Sequence, residues 1–97
     1  MRQITYRVLC GTEGCTELAR FKIAAEWSNG TTRELKTYGL ACEQHLEAEY
    51  RRSLLKQQSC RLTEGERLSP PEIFRLEPGR RDRELVRLQE IESRFRK

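Results

Sequence analysis

Two short stretches of the chain decide its fold: Cys10-Gly-Thr-Glu-Gly-Cys15 and Ala41-Cys42-Glu-Gln-His45. The first holds two cysteines separated by four residues, and after a gap of 26 residues the second holds a cysteine and a histidine separated by two. Three thiolates and one imidazole are a ligand set that suits tetrahedral zinc. Four protein ligands fill the coordination sphere and leave no position for a substrate. The pattern therefore predicts one structural Zn²⁺ bound by Cys10, Cys15, Cys42 and His45.

The same residues allow other interpretations. They could be two buried thiols, a turn cysteine and a surface histidine without a metal, or the four cysteines could form two disulfides. No apolar signal-peptide core follows Met1, and no stretch of about 20 apolar residues is present, so we expect a soluble, cytoplasmic protein. A reducing compartment disfavours disulfides and favours metal ligation. Cys60 is then either a free thiol or a substitute ligand.

The composition indicates one small domain, or a domain with an extension. The chain has 97 residues, of which 36% are hydrophobic and 35% charged. So polar a chain cannot build a large core, and a bound metal would supply the missing stability. The net charge of +4 permits contact with nucleic acid but does not require it.

Alternating apolar and polar residues predict three strands. Residues 4–8 form a short strand that leads into the first cysteine, and residues 18–27 form a half-buried strand. Asn29-Gly30 predicts a two-residue hairpin turn, because both residues accept positive φ. Residues 32–40 are then the return strand.

That turn fixes a predicted register. Phe21 faces Tyr38 on the apolar side of the hairpin, and Glu26 faces Arg33 on the polar side. The end of the hairpin nearest the cysteines should therefore be the better covered by apolar packing.

A helix is predicted over residues 42–58. Leu46, Tyr50 and Leu54 recur four residues apart and form a narrow apolar stripe, which Cys42 and His45 continue. The fold class is thus a small α+β zinc-stabilised module, a β-hairpin plus a helix with a C-terminal helical extension.

The remaining chain divides into a connector and a second helix, which gives predicted units at 1–60, 61–79 and 80–97. In the connector, Ser69-Pro-Pro-Glu72 fits a capping box for a short helix that ends near Leu76. An extended segment docked at residues 73–76 is the alternative. The last unit is predicted to be a charged amphipathic helix with one apolar stripe: Leu85, Leu88, Ile91 and Phe95.

The order of a cysteine loop, a β-hairpin and a helix that supplies the last two ligands resembles treble-clef zinc fingers. The resemblance covers about residues 4–58 and rests on the four ligands and on Asn29-Gly30. It implies a structural zinc, and it does not fix the function, since such modules serve many roles.

We expect the protein not to be an enzyme. General acid–base catalysis most often uses histidine, and the only histidine is assigned to the metal. Some treble-clef proteins are nucleases that use a histidine as the base. This chain has no second histidine for that role. The sequence has no phosphate-binding P-loop, no Gly-x-Ser-x-Gly motif and no dinucleotide-binding fingerprint.

Two functions remain. The preferred one is an adaptor that binds a protein partner, or a second copy of itself, through the stripe at Leu85, Leu88, Ile91 and Phe95; the stripe would otherwise cover the zinc module. The alternative is nucleic-acid binding through basic residues that contact phosphates. These residues are Arg20, Lys22, Arg51, Arg52, Arg80, Arg81 and Arg83. We expect no membrane contact and no small-molecule substrate.

Overall fold

The computed structural model of the chain describes residues 8–76 and 86–95. Within these residues lie five strands and two helices, and the prediction of a small α+β domain is confirmed. The elements are β1 (Phe21–Ser28), β2 (Arg33–Ala41), α1 (Leu46–Gln58), β3 (Arg67–Leu68), β4 (Glu72–Arg75), β5 (Val86–Arg87) and α2 (Gln89–Phe95).

The strands form one antiparallel sheet in the order β2-β1-β4-β5, with β3 also paired to β1. Strand β1 is central, and its consecutive residues Ile23, Ala24 and Ala25 are all fully buried. A half-buried strand would bury only every second residue. The small side chain of Ala24 therefore lies on a second covered face that the alternation did not predict.

The hairpin between β1 and β2 has a four-residue loop, so the two-residue turn was wrong. The Asn29 side-chain oxygen accepts hydrogen bonds from the N–H groups of Thr31 and Thr32, and Gly30 takes a φ of +97°. The asparagine thus organises a longer loop by bonding the backbone that follows it.

The predicted register of this hairpin was wrong as well. Phe21 pairs with Ala41 and not with Tyr38, because the longer loop shifts the pairing and an irregularity follows between Ile23 and Ala24. Opposite that irregularity β2 carries an extra residue, Tyr38, as in a β-bulge. The predicted Glu26–Arg33 ion pair is present all the same, at 3.6 Å on the surface.

Helix α1 begins at Leu46, four residues later than predicted, and it ends at Gln58 as predicted. Residues 43–45 form a turn in which the His45 N–H donates to the Cys42 carbonyl at 3.2 Å. The apolar stripe is confirmed, since Leu46 and Tyr50 are buried and Leu54 packs against the same core.

The short helix predicted after Ser69 does not form, and the extended alternative is correct. Strand β4 pairs with β1, and its Ile73 and Phe74 are buried. Pro71, just before β4, is fully buried, and its carbonyl accepts a hydrogen bond from the Tyr50 hydroxyl at 2.9 Å. Apolar burial beside the central strand outweighs the local capping signal.

The last predicted helix is shorter than expected. Helix α2 covers only Gln89–Phe95, and Val86–Arg87 belong to β5. Val86 lies off the helical stripe and is β-branched, which suits a strand. The remaining parts of this helix, residues 80–85 and 96–97, and the first predicted strand apart from Val8, lie outside the described residues.

A buried carboxylate fixes α2 to the sheet. Glu92 is fully buried and accepts hydrogen bonds from the Ile73 N–H at 2.8 Å and from the Arg87 guanidinium at 3.1 and 2.9 Å. The hydrogen bonds to Glu92 raise the pKa of Arg87. The side chain of Glu92 thus accepts from a backbone N–H of β4 that a neighbouring strand would otherwise bind.

Candidate metal centre

Four potential ligands meet at one end of the domain. The ligand atoms of Cys10, Cys15, Cys42 and His45 all lie within 4.8 Å of one another. The Sγ atoms of Cys15 and Cys42 are 3.9 Å apart, and His45 Nδ1 lies 3.8 Å from Cys10 Sγ and 3.2 Å from Cys42 Sγ. The structure therefore brings together the four residues that the sequence singled out.

These distances suit one tetrahedral ion. Zinc bonds of about 2.3 Å to sulfur and about 2.0 Å to nitrogen place two sulfurs about 3.8 Å apart and a sulfur and a nitrogen about 3.5 Å apart. The observed separations lie close to these edges. The four residues could therefore hold one metal ion.

The first pair of ligands lies on a tightly bonded loop. The Cys10 N–H donates to the Glu17 carbonyl at 2.9 Å, and the Cys15 N–H donates to the Thr12 carbonyl at 3.0 Å. Gly14 closes the loop with a φ of +82°, a conformation that residues with a side chain rarely adopt. Hydrogen bonds of the loop's own backbone thus help to place the two sulfurs.

The second pair lies where the sheet leads into α1. Cys42 directly follows β2, and His45 directly precedes α1. Cys10 and Cys42 belong to the same buried cluster as Ile23, Tyr50 and Ile73. The candidate metal centre is therefore continuous with the hydrophobic core.

The surroundings of Cys10 favour the thiolate. Burial raises the pKa of its thiol, but hydrogen bonds from Thr12, the Cys42 backbone and the His45 ring outweigh burial and lower the pKa to about 6. A thiolate present at neutral pH is the form that binds a metal. Thr12 was not singled out from the sequence, and its position inside the cysteine loop is the signal that could have identified it.

The pKa of the Cys15 thiol is shifted in the opposite direction, upward. A hydrogen bond from the Glu17 backbone lowers the pKa of its thiol, but burial and the neighbouring sulfurs of Cys10 and Cys42 together raise it. Sulfurs this close disfavour simultaneous ionisation, and a bound cation would remove that repulsion. Cys60, the fourth cysteine, is exposed just beyond α1 and lies outside the cluster.

The predicted phosphate contacts do not come from one element. Arg20 is exposed just before β1, Lys22 is half-buried within β1, and Arg51 and Arg52 are exposed on α1. Arg51 and Arg52 lie within ion-pair distance of Glu47 and Glu49. Arg80, Arg81 and Arg83 lie outside the described residues.

The predicted partner-binding stripe packs on the domain itself where it is described. Leu88, Ile91 and Phe95 lie against the buried cluster, and the Phe95 and Tyr50 ring centroids are 6.0 Å apart. Leu85 lies outside the described residues. Partner binding through this stripe stays a prediction.

Comparisons of the chain with protein-family models, with curated proteins and with solved structures gave no match. Neither helix of the described part of the chain has the length and apolar character needed to cross a membrane.

Proposed function

We propose that the protein is a structural zinc module of the treble-clef type that acts as an adaptor through protein–protein contacts. The observation that carries the proposal is the cluster of three thiols and one imidazole whose ligand atoms all lie within 4.8 Å of one another, with the Cys15 and Cys42 sulfurs 3.9 Å apart, close to the edge of a zinc tetrahedron. Thiolate and imidazole ligands favour zinc over hard cations such as Mg²⁺. Three thiolate ligands also fit a reducing compartment such as the cytoplasm.

A structural role follows from the number and position of the ligands. Four protein ligands close the coordination sphere, whereas a catalytic zinc keeps one position open. The ligands connect the loop before β1 to the start of α1 and belong to the buried cluster. The ion would thereby tie the sheet to the helix and stabilise the core from inside.

The chemistry of the chain supports a non-catalytic role. His45 is the only histidine, and as a metal ligand it is not available as a general base. The Arg51 and Arg52 side chains, which the nucleic-acid alternative would use, lie beside glutamates of the same helix. Helix α1 therefore exposes interleaved charges of both signs and offers no continuous basic stripe for a phosphate backbone to follow, which favours protein contacts.

Metal analysis of the purified full-length chain tests the structural part of the proposal. We expect one zinc per chain, and we expect chelation to abolish the folded near-ultraviolet circular dichroism signal, with recovery when zinc is returned. A metal-free protein that keeps its fold and melting temperature would overturn this part.

A titration with oligonucleotides tests the adaptor part against its alternative. We expect the zinc-loaded protein to show no saturable binding to labelled single- or double-stranded DNA or to RNA at physiological salt. Tight binding with an affinity that falls steeply as salt rises would instead establish the nucleic-acid alternative, because each phosphate contact releases counterions.

A further inference from the structure

Strand β2 presents an open edge. Within the described residues it pairs with a strand on one side only, with β1. On its other side one backbone hydrogen bond is present near the end of the strand, where the Gly11 N–H donates to the Leu40 carbonyl at 2.8 Å. Residues 33–39 of this edge have no strand partner in the described chain, so their outward backbone groups are available to another segment.

A groove of about 600 Å³ runs beside this open edge. One wall is the edge at Tyr38 and Gly39, with Gly11 at the end. The other wall is a face of α1 whose residues recur three or four positions apart: Glu49, Arg52, Ser53 and Lys56. Gly39 has no side chain between the strand and the helix, so an extended chain can approach the strand backbone.

The groove combines positive charge with apolar surface. The Arg52 side chain is 75% exposed, and Lys56 is exposed as well. Leu55, which also lines the groove, is 67% exposed, the largest value among the described large hydrophobic residues. The Glu49 carboxylate, which also lines the groove, accepts a hydrogen bond from the Thr12 hydroxyl at 2.9 Å and lies 4.0 Å from Arg52, so Arg52, Lys56 and Glu49 together leave one net positive charge.

We propose that this groove binds an extended acidic peptide segment of a partner protein, which adds as a strand to the open edge of β2. The proposal rests on the adaptor function above and gives that function its surface and its partner chemistry. Backbone hydrogen bonds to residues 33–39 would supply affinity, and side chains would supply specificity. Acidic side chains of the peptide meet Arg52 and Lys56, and an apolar one meets Leu55.

The same surface disfavours two other occupants. A second copy of the chain would pair β2 with β2, so the extra residue at Tyr38 would interrupt the ladder in both strands instead of one. A nucleic acid would use the arginine and the lysine but cannot pair with a strand edge. An acidic peptide uses all three features of the groove.

Fluorescence anisotropy on the zinc-loaded full chain tests the proposal. The probe is a fluorescein-labelled octapeptide with capped ends, Thr-Glu-Thr-Val-Thr-Glu-Thr-Glu, in which the three glutamates and the valine share one face of the strand. The matched control has lysine in place of each glutamate. A third peptide is the acidic probe with N-methyl groups at alternate residues along one edge, which removes backbone donors and keeps the charge. We expect saturable binding of the acidic probe and at least tenfold weaker binding of both other peptides.

Two neighbouring arginines provide matched protein variants. Arg52→Glu changes the charge inside the groove, and Arg51→Glu makes the same change on the same helix at a residue that does not line it. Reversal of an exposed charge should weaken binding about fivefold for Arg52→Glu and leave Arg51→Glu within about twofold of the parent. Amide NMR spectra check that both variants stay folded, and perturbation by the probe should concentrate in residues 33–39.

Several outcomes would overturn the proposal. The first is that Arg52→Glu and Arg51→Glu weaken binding of the acidic probe equally, and the second is that the N-methylated peptide binds as tightly as the acidic probe. The third is that the probe perturbs amides away from β2, and the fourth is that an oligonucleotide displaces the probe with higher affinity. Absence of peptide binding by a folded, zinc-loaded protein would overturn the groove alone and leave the structural zinc intact. Loss of zinc without loss of the fold would overturn the structural zinc and leave the peptide result standing.

Discussion

The two ends of the chain are held to the same sheet by different chemistry. Near the N-terminus, Cys10 and Cys15 meet Cys42 and His45 in a cluster suited to an added ion. At the C-terminal end, the sheet is fixed by the protein's own charges, since Glu92 binds the β4 backbone and Arg87. Under the proposed function the first attachment depends on metal supply, whereas the second is formed by the polypeptide itself.

The difference predicts different consequences when each attachment is damaged. Removal of one metal ligand leaves the other three without their shared ion. Removal of Glu92 leaves one buried backbone N–H, that of Ile73, without its acceptor and leaves Arg87 with the more distant Glu72 carboxylate at 3.5 Å, while the apolar contacts of α2 remain. The first loss should therefore be global, and the second should be a measurable cost in a protein that still folds.

The largest effect is expected from Cys42→Ser. A hydroxyl is a poor ligand for zinc, and structural zinc supplies about 10–16 kcal/mol in small zinc-binding peptides, at least as much as the net stability of a typical domain. We expect loss of zinc and no cooperative thermal transition by circular dichroism. Cys60→Ser is the matched control, because Cys60 is exposed and outside the cluster. A folded Cys42→Ser variant with an unchanged melting temperature would contradict the structural role proposed for the metal.

Truncation after Gln58 should have the next largest effect. The fragment keeps all four ligands but loses Ile73 and Phe74, whose burial is worth about 3–6 kcal/mol together. It also exposes the edge of β1 that β4 covers. We expect the fragment to bind zinc but to lack the dispersed amide NMR spectrum of a folded protein.

A second fragment sharpens this result. A chain that ends at Leu76 restores β4 without Arg87 and Glu92, so it should recover part of the native spectrum. If the Gln58 fragment already folds cooperatively with zinc, the C-terminal segment is an appendage and not part of the core.

Glu92→Gln should lower the free energy of unfolding by roughly 3 kcal/mol. The amide places two donors against the Arg87 guanidinium, which is itself only a donor, and the ion pair is lost. Glu90→Gln on the exposed side of α2 is the control and should change stability by less than about 0.5 kcal/mol. Urea unfolding with zinc in excess measures both, and equal effects would show that the burial of Glu92 has no energetic weight.

Tyr50→Phe should have the smallest effect, about 1–2 kcal/mol. The variant keeps the ring in the core but leaves the buried Pro71 carbonyl without the hydroxyl that now donates to it. Tyr38→Phe removes a weaker contact, in which the Gln57 amide lies 3.4 Å from the hydroxyl, and should be nearly neutral in the same urea experiment. The opposite order would mean that the Tyr50 hydroxyl contributes nothing to anchoring Pro71.

The metal ligands could be predicted because their residue types are rare and their spacing is specific. Four cysteines and one histidine occur in the chain, so a Cys-x₂-His pair after a cysteine loop is informative without any structure. The apolar stripe at Leu46 and Tyr50 was predictable for a similar reason, since helical periodicity was strong there. Both signals are local in sequence.

The features that were missed depend on distant partners. Glutamate and arginine are common, and nothing near Glu92 marks it as buried; its role arises because β4 brings the Ile73 N–H beside it. Ser69-Pro-Pro-Glu72 is a valid signal for the start of a helix. The segment forms a strand instead, because Ile73 and Phe74 become buried when they pair with β1. The predicted hairpin register was wrong because the side chain of Asn29 can organise either a two-residue turn or a longer loop.

The position of β1 between β2 and β4 has a consequence for synthesis on the ribosome. All four candidate ligands have been translated once His45 is added. Strand β4, which pairs with the edge of β1 opposite β2, is translated later, and its Ile73 follows His45 by 28 residues. At roughly 5–20 residues per second, that delay is about 1–6 s. During this interval the nascent chain already contains the four candidate ligands, while the segment that pairs with the second edge of β1 is still missing. Neighbouring ribosomes on one message would then carry chains with complementary open edges, so the spacing of those ribosomes bears on the yield of folded protein.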